Sequence, residues 1–378
     1  MRKILEDIKV IDLTHVLFGP WCTRILAMLG AEVIKIEPPW GELTRYNPPL
    51  FGDSGLSFLC SNVGKKGMTL DLKNSKGKEI FFELVKKSDV VINNFMPGTM
   101  EKLGIGYDEL KKVNSRIIYA QLSGFGSSGP YAMRPSFAPI GEAYSSFMRL
   151  NGDTVDPDGP PRSPVGAYGD VIPGTWAALA VIAAIRYRDL TGIGQWIDVS
   201  QIEVCTHMVS SSINTYLVTG ELPNISSRRY RTFLGGVFKA NDGYVHISAA
   251  RGAQTDRLTK LLGVEYNDEI LKKWVAERTV AEVVDLLSKN DIPVAPCNHV
   301  YDVVKDPHLL ARNAFVEIED PRVKKILLPD LPIKFSETPG HITGPSPTLG
   351  QHNEEVLSGL LGYSKEQIAK LREERVIT

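Results

Sequence analysis

Asp170 has the neighbourhood most suited to chemistry in this chain. It lies in Ala167-Tyr168-Gly169-Asp170-Val171-Ile172-Pro173-Gly174, just before the apolar run 176–185. A carboxylate at the start of a buried helix has two uses. It can cap the helix by accepting hydrogen bonds from the free N–H groups of the first turn, a turn that suits Pro173. Or it can be a nucleophile, kept ionised at neutral pH by the positive end of the helix dipole. The local sequence leaves both open. His15 is the second candidate, at the C-terminal end of a predicted strand. It reads either as a packed core histidine or as a group facing a ligand.

Other motifs carry less. Gly124-Phe-Gly126-Ser-Ser-Gly129 matches a dinucleotide-binding pattern and follows a predicted strand. Pro130 and a polar stretch come next, however, instead of the helix whose N-terminus would hold a pyrophosphate. The four cysteines, Cys22, Cys60, Cys205 and Cys297, are scattered without zinc or redox spacing. No G-x-S-x-G nucleophile motif occurs. Lys65, Lys66, Lys73 and Lys102 fall near predicted strand ends or the helices after them. As a group they offer cations for a polyanion such as a nucleotide bisphosphate.

These residues need a scaffold, and the first half of the chain supplies an alternating one. Strands are predicted over 8–13, 32–37, 89–93, 116–122 and 195–199, with helices over 20–29, 76–87, 107–113 and 200–217. Apolar strands interleaved with helices indicate a parallel sheet covered on both faces, a Rossmann-like α/β architecture. Ligands of such sheets bind beyond the C-terminal strand ends. The loops 14–20, 38–45, 94–98 and 123–130 are therefore the informative ones. A large domain is expected over 1–219, completed by 330–378. From about Gly220 the pattern changes to a hairpin (236–240 and 244–249, joined through Asp242-Gly243) and three helices. This predicts a smaller α/β domain over 220–329.

The chain has 378 residues, 43% hydrophobic and 23% charged, with a formal net charge of −1. That composition suits a globular protein with large cores, and no global field recruits nucleic acid. The N-terminus has no secretory pattern, and 171–185 is too short to span a bilayer. The expectation is a cytoplasmic protein without nucleic-acid or membrane partners and without a bound metal.

The pieces, in order, resemble the class III CoA-transferase family, which includes the formyl-CoA and carnitine CoA-transferases. The resemblance is carried by Leu29-Gly-Ala-Glu-Val-Ile-Lys-Ile-Glu37, Leu70-Asp-Leu-Lys73, Asn94-Phe95-Met-Pro97-Gly98, Leu103-Gly104 and Ser123-Gly-Phe-Gly-Ser-Ser-Gly-Pro130. Gly169-Asp170-x3-Gly174, Gly192-x-Gly194-Gln195-x2-Asp198-Val199 and Leu349-Gly-Gln-His352 continue it to the end of the chain. It implies that Asp170 is the nucleophile, passing through an aspartyl mixed anhydride and an aspartyl-CoA thioester. It implies His15 near the thioester, Gly235 and Gly236 in a small-domain loop closing over the reacting centre, and Leu70, Lys73, Asn94, Phe95 and Lys102 around coenzyme A. The acyl-CoA thioester is a substrate, exchanged with an organic acid, and no cofactor is bound permanently.

The chain departs from the family pattern in four places. Lys102 replaces an Arg, Pro38 stands where relatives have a base, the glycine run at 235–236 is short, and Leu17 replaces a Gln of formyl-CoA transferase. Relatives form interlocked dimers, so a homodimer, or a heterodimer with a paralogous subunit, is implied. The alternative of the same fold, a 2-methylacyl-CoA racemase, needs an acid/base pair that the stretch from Arg134 to Ile140 lacks. A non-catalytic partner subunit is the third reading. Phe18, Phe137, Tyr144, Tyr230 and Phe233 hint at an apolar acyl group.

Overall fold

The computed structural model describes residues 3–222 and 233–378. Two compact units emerge, one formed by Met1–Gly220 with Asn313–Thr378, the other by Glu221–Arg312. The first unit is built on β1 (Lys9–Asp12), α1 (Phe18–Met28), β2 (Glu32–Glu37), β3 (Lys66–Thr69), α2 (Ser75–Lys86), β4 (Val90–Asn93), α3 (Tyr107–Val113) and β5 (Ile118–Ser123). It continues through α4 (Ala138–Tyr144), α5 (Tyr168–Thr191), β6 (Trp196–Ser200), α6 (Gln201–Met208) and α7 (Ser210–Thr219).

The six strands pair in the order β3-β2-β1-β4-β5-β6, every pair parallel. This is the doubly wound order, and its topological switch point lies between β1 and β4. Successive strand residues feed two cores. Val10, Val33, Ile92 and Ile118 pack with α1 and α5, while Ile11, Ile34, Val91 and Tyr119 pack with α2, α3 and the C-terminal segment. Side chains alternate across a strand, so both faces must be covered. The sequence did not reveal β3, a four-residue edge strand that opens on Lys66. It also left α4 unassigned.

Helix α5 has 24 residues and is longer than the apolar stretch suggested. By length and composition it would cross a membrane, but half of its most apolar window is buried within the protein. Ala177, Val181 and Ile185 join the α1 core, the behaviour of a core helix.

The second unit holds a three-stranded antiparallel sheet of β7 (Phe233–Lys239), β8 (Tyr244–Ala250) and β9 (Val294–Pro296), with β8 central. Helices α8 (Ala253–Leu262), α9 (Asp268–Ala276) and α10 (Val280–Lys289) build its core around Val245, Ile247, Leu258, Leu271 and Leu287. A reciprocal Thr279/Glu282 capping box starts α10. The hairpin β10 (Phe315–Asp320) and β11 (Lys324–Pro329) was not predicted, and its residues fell within the span expected for the small domain. It belongs instead to the first unit, because Ile318, Leu328 and Leu331 join the α1 core.

Candidate active site

The loop after β1 is fixed from beneath. Asp12 is fully buried and accepts from Thr14 N (2.8 Å), Thr14 Oγ1 (2.6 Å), Thr23 Oγ1 (2.7 Å) and Lys65 Nζ (3.0 Å). Burial pushes the Asp12 carboxyl up, but the Lys65 and Lys35 charges and the two hydroxyls outweigh it and hold the group well below the usual carboxylate range. Lys35 Nζ, itself buried, donates to Thr14 O at 2.7 Å. Just after β4, Asn94 clamps the next residue: its Oδ1 accepts from His15 N at 2.8 Å and its Nδ2 donates to His15 O at 2.8 Å. This network holds Val16, a β-branched residue, in the left-handed region at φ +67°.

The His15 ring therefore stands edge-on to Phe95, with centroids 5.4 Å apart. Burial, reinforced by the Lys35 charge, pulls the His15 imidazole below its ordinary value. It is neutral at neutral pH.

Asp170 sits where three helices meet, since α4, α5 and α6 pack on one another in pairs. Helix α5 starts three residues earlier than capping by Asp170 requires. Ala167 is the N-cap and makes no side-chain cap bond, which places Asp170 third in the helix. The cap is Glu142 of α4. This buried carboxylate accepts from Gly169 N at 2.9 Å and from Ser163 Oγ at 3.2 Å. The N–H groups of Asp170 and Val171 both reach Ala167 O, at 2.9 and 3.1 Å. Three first-turn donors are thus engaged away from the Asp170 carboxylate and from any reacting carbonyl.

The carboxylate is held by a side chain instead. Gln201 Nε2, at the first position of α6, donates to Asp170 Oδ1 at 2.5 Å. Gln201 is oriented by Ser136 Oγ, which donates to its Oε1 at 2.8 Å. Asp170 is only 7% exposed. Burial raises its pKa to about 6, with the Gln201 bond opposing and the Glu142 charge adding to the rise. The helix dipole was expected to keep the group comfortably ionised; desolvation is the larger effect.

The glycines flanking Asp170 have a packing reason. A Cβ on Gly169 would meet Ala138 O at 2.3 Å, and one on Gly174 would meet Phe18 O at 2.6 Å. Gly169-Asp170-x3-Gly174 is thus the pattern that lets α5 lie directly on the backbones of α4 and α1.

Asp170, Gln201, His15, Asn94 and Phe95 line one cavity of about 310 Å³. Val16, Phe18, Leu122, Pro135 and Phe137 supply apolar walls, and Arg134 is on the rim. The cavity opens at the C-terminal ends of β1, β4 and β5, beside the switch point.

Other predicted residues fall elsewhere. The Leu70 side chain is buried in the α2-side core and offers nothing to a ligand. Lys65 is tied to Asp12, while Lys66 is tied to Glu32 and Glu355 at the N-terminal end of β3. Neither belongs to a polyanion site. Lys73 and Lys102 are exposed, after β3 and β4 respectively, and neither forms an ion pair among the described residues.

Gly235 and Gly236 are in β7, not in a loop, opposite Ser248 and Ile247 of β8. Their φ values of +117° and +149° suit glycine within that strand. Tyr144 packs edge-on against Phe125, away from the cavity wall. Tyr230 lies outside the described residues, and Phe233 is described only as the start of β7. The Gly124–Gly129 loop is no phosphate cradle: Ser127 N donates to Asp198 Oδ2 at 2.8 Å, and α4 begins only at Ala138.

Residues 5–353 match the profile of CoA-transferase family III. The chain belongs to that family. It is 34% identical to the succinyl-CoA–L-malate CoA-transferase beta subunit of Chloroflexus aurantiacus, covering 99% of this chain and 98% of the relative. It is 33% identical to the succinyl-CoA:mesaconate CoA-transferase of Haloarcula hispanica, covering 93% and 95%. The crystal structure of a CAIB/BAIF family protein from Brucella suis superposes with a TM-score of 0.85 at 28% identity, covering 95% of this chain and all of that one. As a family III chain it is a CoA-transferase, and its substrates are CoA thioesters. Among the described residues no cluster of side chains could hold a metal.

Sequence reading missed Glu142, Gln201 and Ser136. Each is an ordinary polar residue locally. Only the meeting of α4, α5 and α6 brings them to Asp170.

Proposed function

We propose that this chain moves coenzyme A from an acyl-CoA to a free carboxylic acid, with Asp170 as the nucleophile. The observation that carries the reading is a buried carboxylate, aimed by Gln201, at the wall of the one cavity that also holds His15. The ionised Asp170 attacks the thioester carbonyl, forming a mixed anhydride and releasing CoA thiolate. The thiolate then attacks the aspartyl carbonyl, which frees the donor acid and leaves an aspartyl-CoA thioester. An acceptor carboxylate attacks that thioester, and the thiolate returns to the acceptor's acyl carbon. Each step exchanges one activated acyl bond for another with no net proton uptake.

Gln201 keeps a second amide hydrogen near the carbonyl that reacts. It supports developing oxyanions in the role the engaged helix N–H groups cannot fill. The neutral His15 offers a hydrogen bond without competing as a cation. Lys73 and Lys102, without an ion pair among the described residues and at the C-terminal side of the sheet, are the groups suited to coenzyme A phosphates. The relatives reported above both carry succinyl-CoA in their names, which makes it the first thioester to try. The protein is further proposed to work in the cytoplasm as a dimer.

Incubation with succinyl-CoA and hydroxylamine should convert Asp170 to a hydroxamate, seen in the peptide mass, and stop turnover. Asp170→Asn should give neither hydroxamate nor transfer. An unmodified Asp170 in an enzyme that still turns over would refute the mechanism.

A further inference from the structure

Arg134 is the one lysine or arginine among the described residues that line the Asp170 cavity. Its guanidinium lies 3.6 Å from the centre of the Tyr131 ring. Arg134 N donates to Tyr131 O at 2.9 Å, closing the turn that brings the two together. Tyr131 is edge-on to Phe125 and to Tyr144, each at 6.4 Å, so the platform under the cation is itself packed.

Three other arginines have carboxylate partners: Arg45 has Glu37, Arg188 has Asp89 and Arg322 has Asp320. Arg134 has none among the described residues. A guanidinium already oriented by stacking, and without a counter-ion, is a receptor for a planar anion. The walls between it and Asp170 are apolar or neutral, so a carboxylate entering the cavity meets no competing cation.

We infer that Arg134 receives the second carboxylate of a dicarboxylic acyl group while the first carboxyl reacts at Asp170. The inference rests on the transferase reading and adds the substrate class to it. Malate and mesaconate, the acids in the names of the two relatives, are both dicarboxylic. The phosphates of coenzyme A present similar anionic chemistry, so the test must separate the two.

Succinyl-CoA and butyryl-CoA do so, differing by a carboxylate in place of a methyl group on the same chain. The readout is the rate of CoA release in the hydroxylamine trap, which needs no acceptor acid. Arg134→Met should lower the second-order rate for succinyl-CoA roughly 10- to 100-fold, the loss of one charged hydrogen-bonding partner, and leave butyryl-CoA unchanged. Arg134→Lys should restore part of the preference. An equal loss with both thioesters would assign the guanidinium to coenzyme A and overturn the inference, as would an undiminished preference for succinyl-CoA. Failure of the unmodified protein to release CoA from any thioester would instead overturn the transferase reading, and this inference with it.

Discussion

Asp170 must be ionised to attack a thioester, and its surroundings work against that. With a pKa raised to about 6, chiefly by burial, it is mostly ionised at pH 7 and loses its charge below pH 6. The same desolvation makes the anion more reactive once formed, because no water shell has to be stripped from it. The expected pH profile of kcat/KM for the thioester therefore has an acid limb near 6, with activity falling as pH drops through that value. Glu142 contributes to the raised value through its charge. Glu142→Gln keeps an acceptor for Gly169 N but removes the charge, so the limb should move to lower pH. A limb near 4 in the unmodified protein, or no movement in the variant, would remove this account. None of this coupling was legible locally, because Glu142 stands 28 residues before Asp170 and Gln201 stands 31 after it.

The elements were more legible than their contacts. Alternation of apolar strands and helices pointed to the parallel sheet, and five of its six strands lie where the pattern placed them. The exception, β3, is too short and too polar at its start for a period to show. The flanking glycines of Asp170 could be recognised as a signature, but their reason is a tertiary one. A Cβ at 174 would meet the Phe18 carbonyl at 2.6 Å, and backbone on a buried helix cannot yield cheaply. Gly174→Ala should push α5 from α1 and lower stability by about 1–3 kcal/mol, the usual cost of overpacking. It should also lower transfer, because Phe18 and Asp170 line the same cavity from the two helices that would separate. Chemical denaturation gives the first and the trap assay the second. A variant as stable and active as the parent would show that α5 tolerates displacement.

At the scale of the whole molecule, one surface lacks an explanation within a single chain. Helix α7 has ten residues and none of them is buried. It still presents Tyr216, Leu217 and Val218, the last two at 72% and 85% exposure. A ten-residue helix is marginal in water on its own, so helical structure there requires apolar packing from somewhere. Helix α5 adds Trp176, Leu179, Tyr187 and Leu190 to the exposed apolar surface of the same unit. Apolar side chains this exposed call for a cover, and a second copy is the partner always available to a chain that assembles symmetrically. Light scattering on the purified chain should therefore give twice 41.7 kDa. Leu217→Glu combined with Val218→Glu should shift the protein to the monomer or to aggregates, while leaving the far-removed Asp12–Lys65 network and the sheet intact. A soluble species of single-chain mass before any substitution would refute the dimer and assign this surface to a different subunit.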